Sequence, residues 1–353
     1  MNLFVNRLDN IKIDDKSYEI IPVNKVKEQN MSGAIVGVDA EYWLCDKDAM
    51  LLVKKSELRH LMGEYMYQAL IRKPMMLFLI PTQEDELDGT KEEFDERYGS
   101  KTIHLNNFAQ AFSIACWFIK DSCVSSAHLY WLNLINGYYS QGVRHMDIML
   151  SDGTIAETYF SNSEMQEALA RMFQVYRYLL PDDARCGKVD MVASGGTVVW
   201  EIDKAMSTEG KSFARALMLL QEARRTGVLS TRIDKYCSVL ECLFAINKEH
   251  KKNISQITAA YIGKDVSERD IIVSDMRDAY GVRSDGSHGE NLKFLRDNDR
   301  EALSNLSKKL DDYVRRVFTK VISDDTLNYD TADGSKTEVR ARFRTMMQAI
   351  YPE

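Results

Sequence analysis

From Phe213 onward the apolar positions recur at helical spacing. Phe213, Leu217, Leu220 and Ala223 share one face of a first segment, with Gly227 as its stop. Ile233, Cys237, Leu240, Phe244 and Asn247 stripe a second, and Ile254–Ile262 is a shorter third. Ser267, with Asp270 three residues on, reads as the start of a fourth helix that runs through Ile272, Met276 and Tyr280 to Arg283. Gly286 and Gly289 are expected to break it. Leu303, Leu306, Leu310, Tyr313 and Val317 mark the last helix, and the polar stretch after Ser323 reads as a peripheral tail. Helical segments in succession without a strand between them predict an all-α bundle.

Before about residue 205 the pattern is mixed. Short runs at Tyr18–Val23, Ala34–Val38 and Met75–Ile80 read as strands, and Ser56–Ile71 has helical spacing through Leu58, Leu61, Tyr65 and Leu70. Gln83–Ser100 is acidic and polar, a surface loop or short exposed helix. Asn106–Tyr139, rich in Phe, Trp, Leu and Ile, predicts two buried helices broken near Asp121–Ser126. Alternating residues on either side of Asp152-Gly153 predict a β-hairpin, and Gly195-Gly196 a second one. Ser163–Leu180 reads as a helix ended by Pro181. The expected organisation is an α+β domain over residues 1–204, an all-α bundle over 205–322 and a polar tail over 323–353.

Composition narrows the class. A chain of 353 residues, 45% hydrophobic and 28% charged, can bury two cores. The longest apolar run, Phe108–Ile119, is too short to cross a bilayer, and the first residues lack the apolar core of a signal peptide, so a soluble cytoplasmic protein is expected. The six cysteines (45, 116, 123, 186, 237 and 242) show no C-x-x-C pair, which points to buried free thiols rather than a zinc site. A net charge of −7 argues against coating nucleic acid by bulk electrostatics, yet leaves room for local contact through basic clusters such as Lys248–Lys252 and Arg340/Arg342/Arg344.

The chemistry gathers at Arg283-Ser-Asp-Gly-Ser-His288-Gly289. An arginine keeps its charge and offers a planar fork of donors that matches phosphate oxygens. A histidine moves protons near neutral pH. Together they can cleave RNA, which carries its own 2′-hydroxyl nucleophile, with no metal or cofactor. Asp285 is placed to orient either group, and Glu241, on the helix of Ile233–Asn247, to pair with Arg283. A purely structural use of Arg283 and His288, at a helix end and on a carbonyl, stays open on the residues alone.

This motif, with the helix Ile233–Phe244 before it, resembles the R-x4-6-H signature of HEPN domains, in particular the ApeA-like branch. The resemblance covers about residues 205–322. It implies a helical, usually dimeric, metal-independent endoribonuclease of the kind found in toxin–antitoxin, abortive-infection and other anti-phage systems. Arg283 and His288 then become the catalytic pair, and Ser284 or Asp285 the polar residue that follows the arginine. The implied partners are an RNA substrate, tRNA or mRNA, and a second copy of the chain. A phage-derived trigger or second protein at the N-terminal domain would fit a regulatory or sensing role. Some HEPN domains only bind nucleotides or RNA, or dimerise, which is the alternative reading.

Other signals are weaker. Arg97 and His104, with six residues between them, form a similar pair in a polar stretch. Asp39 and Glu41 could begin the carboxylate set of a two-metal exonuclease, but no matching later carboxylates stand out. The aromatics of Phe108–Tyr139 could stack bases, though core packing explains them better. His145 beside Arg144 needs no function.

Overall fold

The computed structural model describes residues 2–13, 21–22, 41–45, 55–80, 88–143, 147–179, 212–323 and 335–352. The chain divides into two compact units, one of residues 1–147 and 156–176, the other of 148–155 and 177–353.

The first unit is α+β. Its sheet has the order β3-β4-β5-β1-β6-β7, all pairs antiparallel, with β1 (Asn2–Asp9) at the centre between β5 (Met75–Ile80) and β6 (Ser125–Asn133). β3 (Ile21–Pro22) and β4 (Glu41–Cys45) extend one side and β7 (Tyr138–Val143) the other. Alternation along β1 sends Leu3 and Val5 to one face, where Leu58, Tyr67, Leu70, Leu77 and Leu132 join them in the core. These helical residues come from α1 (Lys55–Met62) and α2 (Glu64–Ile71), split at Gly63, whose φ of +77° suits glycine. The split turns Tyr65 out to solvent, off the face expected for it. Beyond β5, α3 (Lys91–Ile119) starts from a capping box of Thr90 and Glu93, and its Phe108 meets Phe78 edge-on at 6.2 Å.

Three expectations change here. From Lys91 the polar stretch is the first part of the long helix α3, after a turn at residues 88–90, rather than a loop or separate short helix. The second half of Asn106–Tyr139 is not a helix but the hairpin β6–β7, turning at Asn136-Gly137 with Gly137 at φ +72°. Asp152-Gly153 does turn, but its flanks are not paired strands. Thr158–Phe160 (β8) instead lies parallel to Ile11–Ile13 (β2). The helix expected from Ser163 is α4 (Asn162–Leu179). Tyr18–Ile20, Ala34–Val38 and the Gly195-Gly196 turn lie outside the described residues.

The second unit is helical, with α5 (Ser212–Arg225), α6 (Leu229–Leu243), α7 (His250–Ile262), α8 (Val266–Ser287), the short α9 (Phe294–Asp297), α10 (Arg300–Ser323) and α11 (Ser335–Ile350). Helix α6 is its spine, burying Ile233, Tyr236, Cys237, Val239, Leu240 and Leu243. Every predicted stripe residue of α5 and α10 is buried, and Phe213 meets Phe318 at 5.3 Å. Polar pairs run between the packed helices: Tyr236 donates to Asp311 at 2.7 Å, and Tyr313 donates to Asp275 at 2.7 Å. Burial first, and then the Asp275 bond, push the Tyr313 phenol well above its ordinary pKa.

The short segment Ile148–Ile155 belongs to this helical unit. Arg232, fully buried, donates to the Thr226 carbonyl (2.6 Å from Nη2) and to the Leu150 carbonyl. Ser307 donates to the Ser151 carbonyl at 2.6 Å, and Lys308 pairs with Asp152 at 3.2 Å. Gly153, at φ +81°, comes so close to Gly227 that a Cβ would lie 2.9 Å from the Gly227 carbonyl oxygen. The turn that reads as a hairpin is therefore a plug held by the bundle.

The C-terminal stretch is not a peripheral tail where it is described. In α11, Phe343 is buried between Phe244 (4.7 Å) and Tyr261 (5.1 Å), and Arg340 Nε donates to the Ala245 carbonyl at 2.8 Å. The N-cap of α8 also moves: Asp265, not Ser267, accepts from the Glu268 N–H at 2.8 Å.

Candidate functional site

Helix α8 passes through Gly281 and Gly286 without a break and ends only at Ser287, with His288 as its C-cap. The expected turn between Arg283 and His288 is absent: Gly286 lies within the helix, which tolerates the glycine at a modest cost. Gly289, at φ +70°, supplies the stop. Five helical residues carry the chain about 140° round the axis and about 7.5 Å along it. Arg283 and His288 therefore leave α8 in different directions, and no hydrogen bond or ion pair joins them among the described residues. Arg283 points at α6. His288 is exposed, and its backbone N–H donates to the Ser284 carbonyl at 3.2 Å.

Glu241 meets Arg283 as expected. Arg283 Nε lies 3.0 Å from Asp234 Oδ1, and Nη1 pairs with Glu241 Oε1. The guanidinium also sits 5.2 Å from the centre of the Tyr280 ring. Asp234, Cys237 and Glu241 share a face of α6, since they recur at spacings of three and four residues. Burial opposes the charge of Arg283, but the Glu241 carboxylate outweighs it and holds the guanidinium above its ordinary pKa. Cys237 lies fully buried beside this pair, and burial pushes its thiol far up, leaving it unsuited to act as a nucleophile. Nε and Nη1 are thus both held in ion pairs by carboxylates of α6, and Nη1 is buried.

The remaining predicted residues sit elsewhere. Asp285 orients neither Arg283 nor His288: its carboxylate accepts from Lys293 N–H at 2.8 Å and Lys293 Nζ at 3.0 Å, closing the loop after α8. These bonds, the backbone one foremost, lower its pKa. Ser284 is exposed on α8.

One residue of the cluster escaped the sequence reading. His250, the first residue of α7, donates through Nδ1 to Glu241 Oε1 at 2.8 Å. The same carboxylate oxygen therefore carries a guanidinium and an imidazole. The signal was faint in sequence: a histidine nine positions after Glu241, across a connection that folds back only if the helix ends at Leu243.

Of the signals set aside, Arg97 lies exposed on α3 and His104 on the same helix backbone. Phe108, Phe112, Trp117 and Tyr130 are fully buried, so they are core rather than a stacking surface. Asp39, Arg144 and His145 lie outside the described residues. Among the described residues no group of three His, Cys, Asp or Glu side chains is arranged to hold a metal, and no helix is long and apolar enough to cross a membrane. No family model, curated protein or solved structure matches the chain.

Proposed function

We propose that the helical unit is a metal-independent endoribonuclease of the HEPN type, acting as a toxin-like effector in bacterial anti-phage defence within the cytoplasm. The observation that carries this reading is Arg283: a half-buried, permanently charged fork, held through Nε and Nη1 by carboxylates of α6 and of the planar shape that matches phosphate oxygens. His288, exposed at the end of the same helix, supplies the imidazole of the motif.

In the reaction the 2′-oxygen attacks the adjacent phosphorus, its proton passes to an imidazole, and the bond to the 5′-oxygen breaks. The 5′-oxygen takes up a proton, and the products carry a 2′,3′-cyclic phosphate and a 5′-hydroxyl. A positioned cation on the pentacovalent phosphorus is worth about 10²–10³-fold, and proton transfer about 10²–10⁴-fold. Because Arg283 and His288 diverge within one chain, a two-fold homodimer that faces one motif with the other is the arrangement this chemistry favours. The α+β unit is then a sensing or regulatory element for a phage-derived trigger or second protein.

A second reading has its own observation. Arg283 of α8 is braced against α6 through two carboxylates, with the Tyr280 ring of its own helix beside it. That is the work of a structural residue in a non-catalytic dimerisation or nucleotide-binding module. Expression in cells separates the two. A nuclease loses toxicity on His288→Ala, a surface change that leaves the melting temperature alone. A binding module shows the same growth phenotype with and without the substitution.

A further inference from the structure

We propose that His250 is the histidine that takes the 2′-hydroxyl proton beside Arg283, a role that rests on the ribonuclease reading above. Three observations lead to it. Glu241 Oε1 binds both Arg283 Nη1 and His250 Nδ1, so the guanidinium and the imidazole are neighbours around one oxygen. A carboxylate only accepts, so Nδ1 carries the hydrogen of this bond, and Nε2 is the nitrogen left to exchange a proton. The ring side chain is 40% exposed while Glu241 is 13% exposed, which puts the histidine on the solvent side of an anchored carboxylate. An imidazole with one nitrogen fixed by a carboxylate and the other left basic is the arrangement a general base requires.

The backbone reinforces the placement. Glu249, immediately before His250, sits in the left-handed region at φ +46°, a conformation that a non-glycine residue holds only where its surroundings fix it. The neighbourhood suits a polyanion. Lys248, Lys251 and Lys252 are exposed on either side of His250, and Arg340 of α11 is bonded to the Ala245 carbonyl in the same connection. The acidic groups facing this region are Asp234 and Glu241 of α6, both engaged with Arg283, the exposed Glu249, and Asp278 of α8.

In the proposed step the bond from O2′ to phosphorus forms as the 2′-hydroxyl proton moves to His250 Nε2. The Arg283 guanidinium faces a non-bridging oxygen. The bond from phosphorus to O5′ breaks, and O5′ receives a proton from water or from a second imidazole, for which His288 of a facing copy is the candidate.

The test compares the full-length wild-type protein with His250→Gln on an RNA oligonucleotide in EDTA. Glutamine keeps a donor for Glu241 but cannot move a proton, so the fold is retained while the rate falls by about 10²–10⁴-fold. Cleavage by His250→Gln at the wild-type rate overturns the inference and leaves the nuclease reading standing. Absence of cleavage by the wild type under conditions in which cells expressing it are intoxicated removes the reading and the inference together. A measurement on the unsubstituted protein guards against a folding defect. In nitrogen NMR, the His250 ring, distinguished from the other five histidines, should show a bare Nε2 and should shift on addition of a 2′-O-methyl oligonucleotide, which binds but cannot be cut. A ring that does not respond overturns the assignment.

Discussion

Glu241 on α6 pairs with Arg283 on α8, and this contact ties the two helices whose sequences carry the motif. Removing the arginine leaves Asp234 and Glu241 close together without their shared cation. Arg283→Ala should therefore destabilise the helical unit by about 1–3 kcal/mol, read as a lower urea midpoint. A change below about 0.5 kcal/mol would class the contact with ordinary surface ion pairs.

Arg232 offers a sharper stability test. Its side chain is wholly buried and serves the carbonyls of Thr226 and Leu150, which a methionine cannot satisfy. Arg232→Met should cost about 1–3 kcal/mol, chiefly from the Thr226 carbonyl, since the Leu150 carbonyl also accepts from the Gly153 N–H, and should speed proteolysis around residues 148–155. By the same contacts, a chain that begins at residue 205 lacks the Leu150 and Ser151 carbonyls and should melt below one that begins at residue 147.

Phe343 decides whether the C-terminal helix matters. Being 2% exposed and packed on Phe244 and Tyr261, it should cost about 3–5 kcal/mol on replacement by alanine. A peripheral tail would give a change near zero in the same denaturation experiment.

Asp285 sets a pH dependence. Its folded pKa is lowered by the Lys293 bonds, so the unfolded chain binds the proton more readily. The stability it contributes is fully present above the unfolded value of about 3.9 and is lost as pH falls through the lower folded value. Thermal melts taken downward from pH 5 should fall less steeply for Asp285→Asn than for the wild type. Parallel slopes would contradict the assignment.

The helical half was legible because each helix has one solvent face, so Leu, Ile and Phe recur at the period of the backbone. The sheet was harder to read. Strand β6 is an apolar run buried on both faces, and such a run carries no period to separate it from a helix. The Asn136-Gly137 turn was the available signal for it. Asp152-Gly153 gave a true turn but a false hairpin, because beyond the one bond from Leu150 N–H to the Thr154 carbonyl its carbonyls bind the distant Arg232 and Ser307. At the site, Glu241 was readable from its place on the helix before the motif. His250 was not, because its partner is set by how the connection from Leu243 to His250 folds back. Gly286 misled in the other direction: helical geometry tolerates glycine when packing on either side of it holds the helix.

The most direct measurement is cleavage of total RNA by the purified protein in EDTA, with wild type and His288→Ala run side by side on a denaturing gel and the fragment ends mapped. The account predicts discrete fragments from the wild type, ending in 2′,3′-cyclic phosphates, and loss of those fragments with His288→Ala. Intact RNA from a wild-type sample that is toxic in cells, or equal cleavage by both proteins, would contradict it.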